Sequence, residues 1–142
     1  KQGENMDCIF CKIADGEIPS DTVFEDNDFR VILDLSPASK GHMLILPKVH
    51  ARDITELNED IAGKALILAG RLGKATMTGL FATGFNTLAN TGESAGQTVF
   101  HCHIHVIPRY DDASRIVSWI PGDSDKKIQK ETAEKIAASL KE

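Results

Sequence analysis

The chain has 142 residues, 42% of them hydrophobic and 26% charged, with a formal charge of -5. That suits one globular domain with one core and leaves little room for a second domain, a disulfide scaffold or long disorder. The acidic balance repels the backbone of a long nucleic acid, so any phosphate it handles is small and locally bound, and no apolar run approaches a membrane span. Residues 1–6 lack the apolar stretch of a secretory signal and read as a disordered or added leader, which points to the cytoplasm. In that compartment three cysteines, two of them in Cys8-x-x-Cys11, suggest metal or redox chemistry rather than a structural disulfide.

In chain order, Asp7 to Ala14 reads as a short amphipathic helical turn, closed by Asp15-Gly16 and Ile18-Pro19-Ser20. Thr22-Val23-Phe24 and Phe29 to Leu33 follow as strands in hairpin spacing, and His42 to Leu46 as a buried strand that stops before Pro47. From the N-cap residue Asn58, a recurrence of Ile61, Ala65, Leu68, Leu72 and Ala75 predicts a long helix over 59–78 whose apolar stripe packs on the core. Phe85 to Ala89 reads as a strand, Asn90 to Gln97 as a Gly-containing loop and Thr98 to Pro108 as a further strand. A last helix over Lys126 to Leu140 carries the thin stripe Ile128, Ile136 and Leu140, with lysines that read as a solvated face. The order indicates an α+β fold built on an antiparallel sheet.

The most informative stretch is His101-Cys102-His103-Ile104-His105-Val106-Ile107. Strand alternation places His101, His103 and His105 on one surface, neighbours about 6.6 Å apart, and turns Cys102, Ile104 and Val106 to the other. That spacing is too long for one imidazole to bond the next and suits rings that flank a phosphate. Histidine fits such chemistry because its neutral ring is a nucleophile near pH 7 and its protonated ring an acid in the same range. After Cys8-x-x-Cys11, 38 residues intervene before His50 and 50 more before His101. Two thiolates and two imidazoles are a common tetrahedral zinc set, although the spacing is not that of a zinc finger, and a redox pair or two buried thiols remain alternatives.

The stretch from His101 to Ile107 matches the signature of alternating histidines and apolar residues of the histidine triad (HIT) superfamily, which the chain resembles from about residue 7 to 110. Asp7 to Ile13, Phe24-Glu25-Asp26, Asp34 to Pro37, Leu46 to His50 and Asn90 to Thr98 extend the resemblance. It is closest to the Hint branch and its bacterial relatives, with Ile107-Pro108-Arg109 similar to bacterial members and Gln97-Thr98-Val99 shared with the Fhit branch. Transferase relatives carry Gln where this chain has His105, which favours hydrolysis over transfer.

The resemblance implies a five-stranded antiparallel sheet with one long helix and short terminal helices, a domain over 7–110, an extension with a helix over 111–142, and a homodimer. It implies release of a nucleoside 5′-monophosphate from its leaving group, of the phosphoramidate type, through a nucleotidyl intermediate on His103. His105 would assist the leaving group, the His101 carbonyl would orient His103, and Asn90 would aid phosphate contacts. Gly96, Gln97 and Thr98 would form the phosphate loop and Asp34 would hold the ribose of a purine nucleotide such as AMP or GMP. Ile9, Phe10, Ile13, Phe24, Leu33 and Leu35 would supply the base pocket. A dinucleoside polyphosphate hydrolase and a nucleotide-binding regulatory module are the alternatives. Relatives with zinc on positions matching Cys8, Cys11, His50 and His101 imply a closed, structural zinc site. His42 reads as a satisfied structural histidine, Cys102 as a small hydrophobe on the core side and Trp119 as a packing residue.

Overall fold

The computed structural model describes residues 7–111 and 118–140. The leader reading of residues 1–6 lies outside them. The elements are α1 (Ile9–Ala14), β1 (Thr22–Glu25), β2 (Phe29–Leu33), β3 (Met43–Pro47), α2 (Glu59–Gly79), β4 (Gly84–Leu88), a 3-10 turn (Glu93–Ala95), β5 (Ile104–Arg109) and α3 (Lys126–Leu140). The five strands form one sheet in the order β1-β2-β3-β5-β4, with every neighbour antiparallel.

Local chemistry explains most boundaries. The Asp26 carboxylate accepts from the N–H groups of Asp28 and Phe29, each at 2.8 Å, and so turns the chain between β1 and β2. β3 is buried at every position, as befits a central strand covered on both faces. α2 starts where the Asn58 side chain accepts from Ile61 N–H at 2.9 Å, with Glu59 and Asp60 at the positive end of the helix dipole. α3 is started by the Asp125 carboxylate, which accepts from Lys127 and Ile128 N–H.

The core has two parts, one on each face of the sheet. On one face Ile61, Ala65, Leu68 and Leu72 of α2 pack on Phe29, Val31, Met43, Ile45 and Val106. On the other, Ala14, Phe10 and Ile13 of α1 pack on Ile32, Leu44 and Leu46. Phe24 joins the α2 face, which removes it from any pocket under α1. Gly73 of α2 lies so close to β4 that an added Cβ would stand 2.3 Å from the Phe85 ring. Gly73→Ala is therefore expected to cost about 1–3 kcal/mol in urea unfolding, the usual penalty for overpacking a contact of this kind.

Two expectations fail. The strand expected over 98–108 begins only at Ile104, because Cys102 N–H donates to Ala51 O at 2.7 Å instead of entering the ladder. His101 and His103 thus precede the strand, and the three imidazoles do not form a uniform row. Trp119, expected to pack, is 78% exposed, and Ile128, Ile136 and Leu140 of α3 are exposed as well.

Candidate active site and metal centre

The chain between α2's partner strands brings the histidines into two linked groups. His101 is fully buried. Its Nε2–H donates to Pro47 O at 2.8 Å, which fixes the tautomer and leaves the Nδ1 lone pair facing Cys8 Sγ and Cys11 Sγ, both at 3.4 Å, and His50 Nδ1 at 3.2 Å. Cys11 Sγ lies 3.3 Å from His50 Nδ1. For bonds of about 2.0–2.3 Å, a tetrahedral zinc set has ligand-to-ligand edges of roughly 3.3–3.8 Å, so these four residues fit a metal ion with little movement. Their four donors complete the shell, which makes it a structural site in which bound zinc would cross-link the segments. The Cys8 sulfur also accepts from Cys11 N–H and so caps α1. The four residues expected as ligands are thus together.

His103 stands next to this centre. Its Nδ1–H donates to the His101 carbonyl at 2.8 Å, so its Nε2 carries the lone pair. The Phe10 ring meets it edge-on with centroids 4.9 Å apart, and the His105 ring lies 5.1 Å away. Phe10, expected in a base pocket, thus stands against the His103 ring and meets the His101 ring edge-on, with centroids 6.2 Å apart.

The second group is Asp34, His42 and His105. Ala38 N–H donates to His42 Nδ1 at 2.9 Å, so the ring proton of neutral His42 sits on Nε2, from which it donates to His105 Nδ1 at 2.9 Å. That leaves the proton of neutral His105 on Nε2. Asp34 Oδ2 lies 3.5 Å from His42 Nε2, and its Oδ1 accepts from Ser36 N–H at 2.8 Å. These three residues could geometrically surround a metal, but the proton held between the rings occupies the lone pair a metal would need. The group is a hydrogen-bonded chain that fixes the tautomer of His105. His42, read as a structural histidine, therefore orients a triad residue. The hairpin register could have shown this, since Leu33 pairs with Met43 and puts Asp34 opposite His42.

Burial, helped by the His103 and His42 rings and opposed by Asp34, pushes His105 down to about 4. Burial also lowers His42, with Asp34 opposing, and pushes the Cys102 thiol up to about 11, consistent with an inert core thiol. His105 is therefore neutral at pH 7, with its proton on Nε2. Between pH 6.5 and about 4 the unfolded chain binds a proton that folded His105 refuses, so stability is complete above pH 6.5 and falls as the pH is lowered through this window. Allowing for its partial exposure, the effect should be about 1–2 kcal/mol. Urea unfolding across this range should show a shallower pH slope for His105→Gln than for the wild type.

The loop after β4 turns through Gly92 and Gly96, both at positive φ. Gly96 N–H donates to Glu93 O and Gln97 N–H to Gly92 O, so these two amides close the loop on itself, contrary to the expectation that they face an anion. Thr98 is exposed, and neither its N–H nor its hydroxyl is engaged among the described hydrogen bonds. Asn90 Nδ2–H reaches Gly96 O at 3.5 Å and spans the loop. The Gln97 side chain, expected to touch substrate, is buried and bonded within the protein.

A cleft of about 360 Å³ runs between α1 and the edge of the sheet, lined by Ile9, Ile13, Ile18, Pro19, Ile32 and Leu35. Ile9, Ile13, Leu33 and Leu35 are there as expected, Ile18, Pro19 and Ile32 were not singled out, and Phe10 and Phe24 are absent. A larger cleft of about 470 Å³, lined by Ile54, Leu57, Leu66, Cys102 and Ile104, lies on the α2 side away from the imidazoles. Its apolar lining suits protein contact better than a phosphate.

The family model of the HIT domain matches residues 15–112. Protein hit of Bacillus subtilis is 44% identical over 103 residues, 72% of this chain and 71% of that protein. The adenosine 5′-monophosphoramidase of Saccharomyces cerevisiae is 36% identical over 137 residues, 93% of this chain and 84% of that protein. The crystal structure of a zinc-bound histidine triad family protein from Mycobacterium smegmatis superposes with a TM-score of 0.74 at 34% identity, covering 96% of each chain. No helix among the described residues is long and apolar enough to cross a membrane. Sequence pattern, sheet and triad agree over most of the chain, which places it in the HIT family.

Proposed function

We propose that the chain is a nucleotide hydrolase that releases a nucleoside 5′-monophosphate from a small leaving group, of the phosphoramidate type, through a nucleotidyl intermediate on His103. The observation that carries this reading is the 2.8 Å bond from His103 Nδ1–H to the His101 carbonyl, which leaves Nε2 as an unprotonated nucleophile beside the donor His105. Nε2 of His103 attacks phosphorus while the bond from phosphorus to the leaving nitrogen breaks; that nitrogen, protonated from solvent and held by the His105 Nε2–H, departs as the neutral amine. A water then attacks phosphorus and releases its proton to solvent as the bond to His103 breaks.

The apolar cleft would hold a purine such as that of AMP or GMP, with Asp34 at the ribose and Asn90 and Thr98 near the phosphate. Zinc on Cys8, Cys11, His50 and His101, a homodimer in which the two sheets join edge to edge into one larger sheet, and a cytoplasmic location complete the reading. The similarity to a monophosphoramidase and to a zinc-bound relative supports it.

Turnover of adenosine and guanosine phosphoramidates should exceed that of a diadenosine polyphosphate, and acid quench should trap an adduct one nucleoside monophosphate heavier on His103. Faster cleavage of the dinucleotide would favour the polyphosphate hydrolase, and tight binding without any turnover would favour a regulatory module. Light scattering that returns a monomer at micromolar concentration would remove the dimer.

A further inference from the structure

Gln97 is 3% exposed, and its carboxamide is committed on both sides. Nε2 donates to Arg52 O at 2.8 Å and to Val99 O at 3.2 Å, while Oε1 accepts from Gly92 N–H at 2.9 Å. A carboxamide has two N–H donors, and both are spent, so none is left for a phosphate oxygen. The orientation is fixed by the partners, since exchanging oxygen and nitrogen would press the oxygen against two carbonyls.

The partners define a brace. Gln97 clasps Gly92 twice, by side-chain Oε1 from its N–H and by main-chain N–H to its carbonyl at 3.0 Å. The far end is Arg52 O, in a segment that starts at His50 and is itself held rigid. Ala51 O accepts from Cys102 N–H, and buried Asp53 accepts from the Thr55 N–H at 2.9 Å and the Thr55 hydroxyl at 2.6 Å. The loop is thus located relative to the chain that leads directly into His101 and His103. Without the brace the loop's own turn bonds would still close it, but its distance from His103 would not be fixed.

We propose that Gln97 is a positioning residue that braces the loop 92–98 over His103, and not a substrate ligand. This role rests on the reading of that loop as the place of the phosphate. It acts by holding Thr98 and Asn90 where charge develops on phosphorus, a form of preorganisation whose loss lowers kcat more than substrate affinity.

Two variants test it. Gln97→Met keeps the length and removes every side-chain bond. Gln97→Glu keeps the acceptor for Gly92 but, when ionised, turns an oxygen toward the Arg52 and Val99 carbonyls. In the ligand-free protein, hydrogen exchange at the Gly92 amide should rise at least tenfold in Gln97→Met, a change no direct ligand contact would produce. With a nucleoside phosphoramidate, kcat should fall by about ten- to a hundredfold with KM changed less than threefold. The activity of Gln97→Glu relative to wild type should recover as the pH is lowered and the carboxyl regains a donor, while that of Gln97→Met stays flat. Unchanged Gly92 exchange, or a loss confined to KM, overturns the brace. Should Gln97→Met fail to fold, the exchange and relative pH profile of Gln97→Glu decide the question. If the wild type turns over no phosphoramidate, the functional reading fails, and the exchange data with nucleoside monophosphate binding still decide this one.

Discussion

His103→Ala should lower turnover of a nucleoside phosphoramidate by about four to six orders of magnitude, the scale on which enzymes that act through a covalent intermediate lose activity with their nucleophile. The substitution removes Nε2 and with it the imidazole beside His105 whose other nitrogen is held by the His101 carbonyl. Binding should survive within a few-fold, because the cleft lined by Ile9, Ile13 and Leu35 and the carboxylate of Asp34 are untouched. Quenched-flow labelling should show the nucleotidylated adduct in the wild type and none in the variant. Turnover retained near the wild-type rate, or an adduct that maps to His105, would sink the mechanism while leaving family membership intact.

Replacing Cys11 by Ser should reduce stability by about 3–5 kcal/mol, a fall in Tm of roughly 10–20 °C for a domain of this size. Cys11 Sγ is within 3.4 Å of both imidazoles of the cluster, and the set joins α1, the segment after β3 and the start of the triad. Cross-linking parts so distant in sequence is a folding contribution, so a chelator should reproduce the loss in the wild type and add little in the variant. Nucleoside affinity should change much less than Tm. Metal analysis that finds no zinc in carefully purified protein, or a wild-type Tm indifferent to chelation, would remove the metal centre.

Most of the fold was legible because its signals are local. Asn58 followed by the stripe from Ile61 to Leu72, the charged turn at 25–28 and the apolar run before Pro47 each state their structure within a few residues. The segment 98–103 misled because its conformation is decided from afar, by Ala51 O taking the Cys102 N–H and Pro47 O taking the His101 ring. Alternation found three histidines but could not tell that one turns to sulfur and two face each other. The site was legible where residue type alone names the chemistry, as for the cysteines and the triad. The bonding of Gln97 and of His42 was not legible because it lies in which atom of each is already spoken for, and only distances reveal that.

The hydrogen bond from Ala38 N–H to His42 Nδ1 has a consequence for proton traffic. A peptide amide does not give up its proton in the working pH range, so the chain of bonds from Ala38 through His42 to His105 is a wire closed at its inner end. The proton on His42 Nε2 is therefore held in place, with no way onward to bulk water by that path. The bond it makes keeps the His105 proton on Nε2. Under the proposed mechanism His105 would then meet every substrate in one tautomer, with no proton to lose or regain between turnovers.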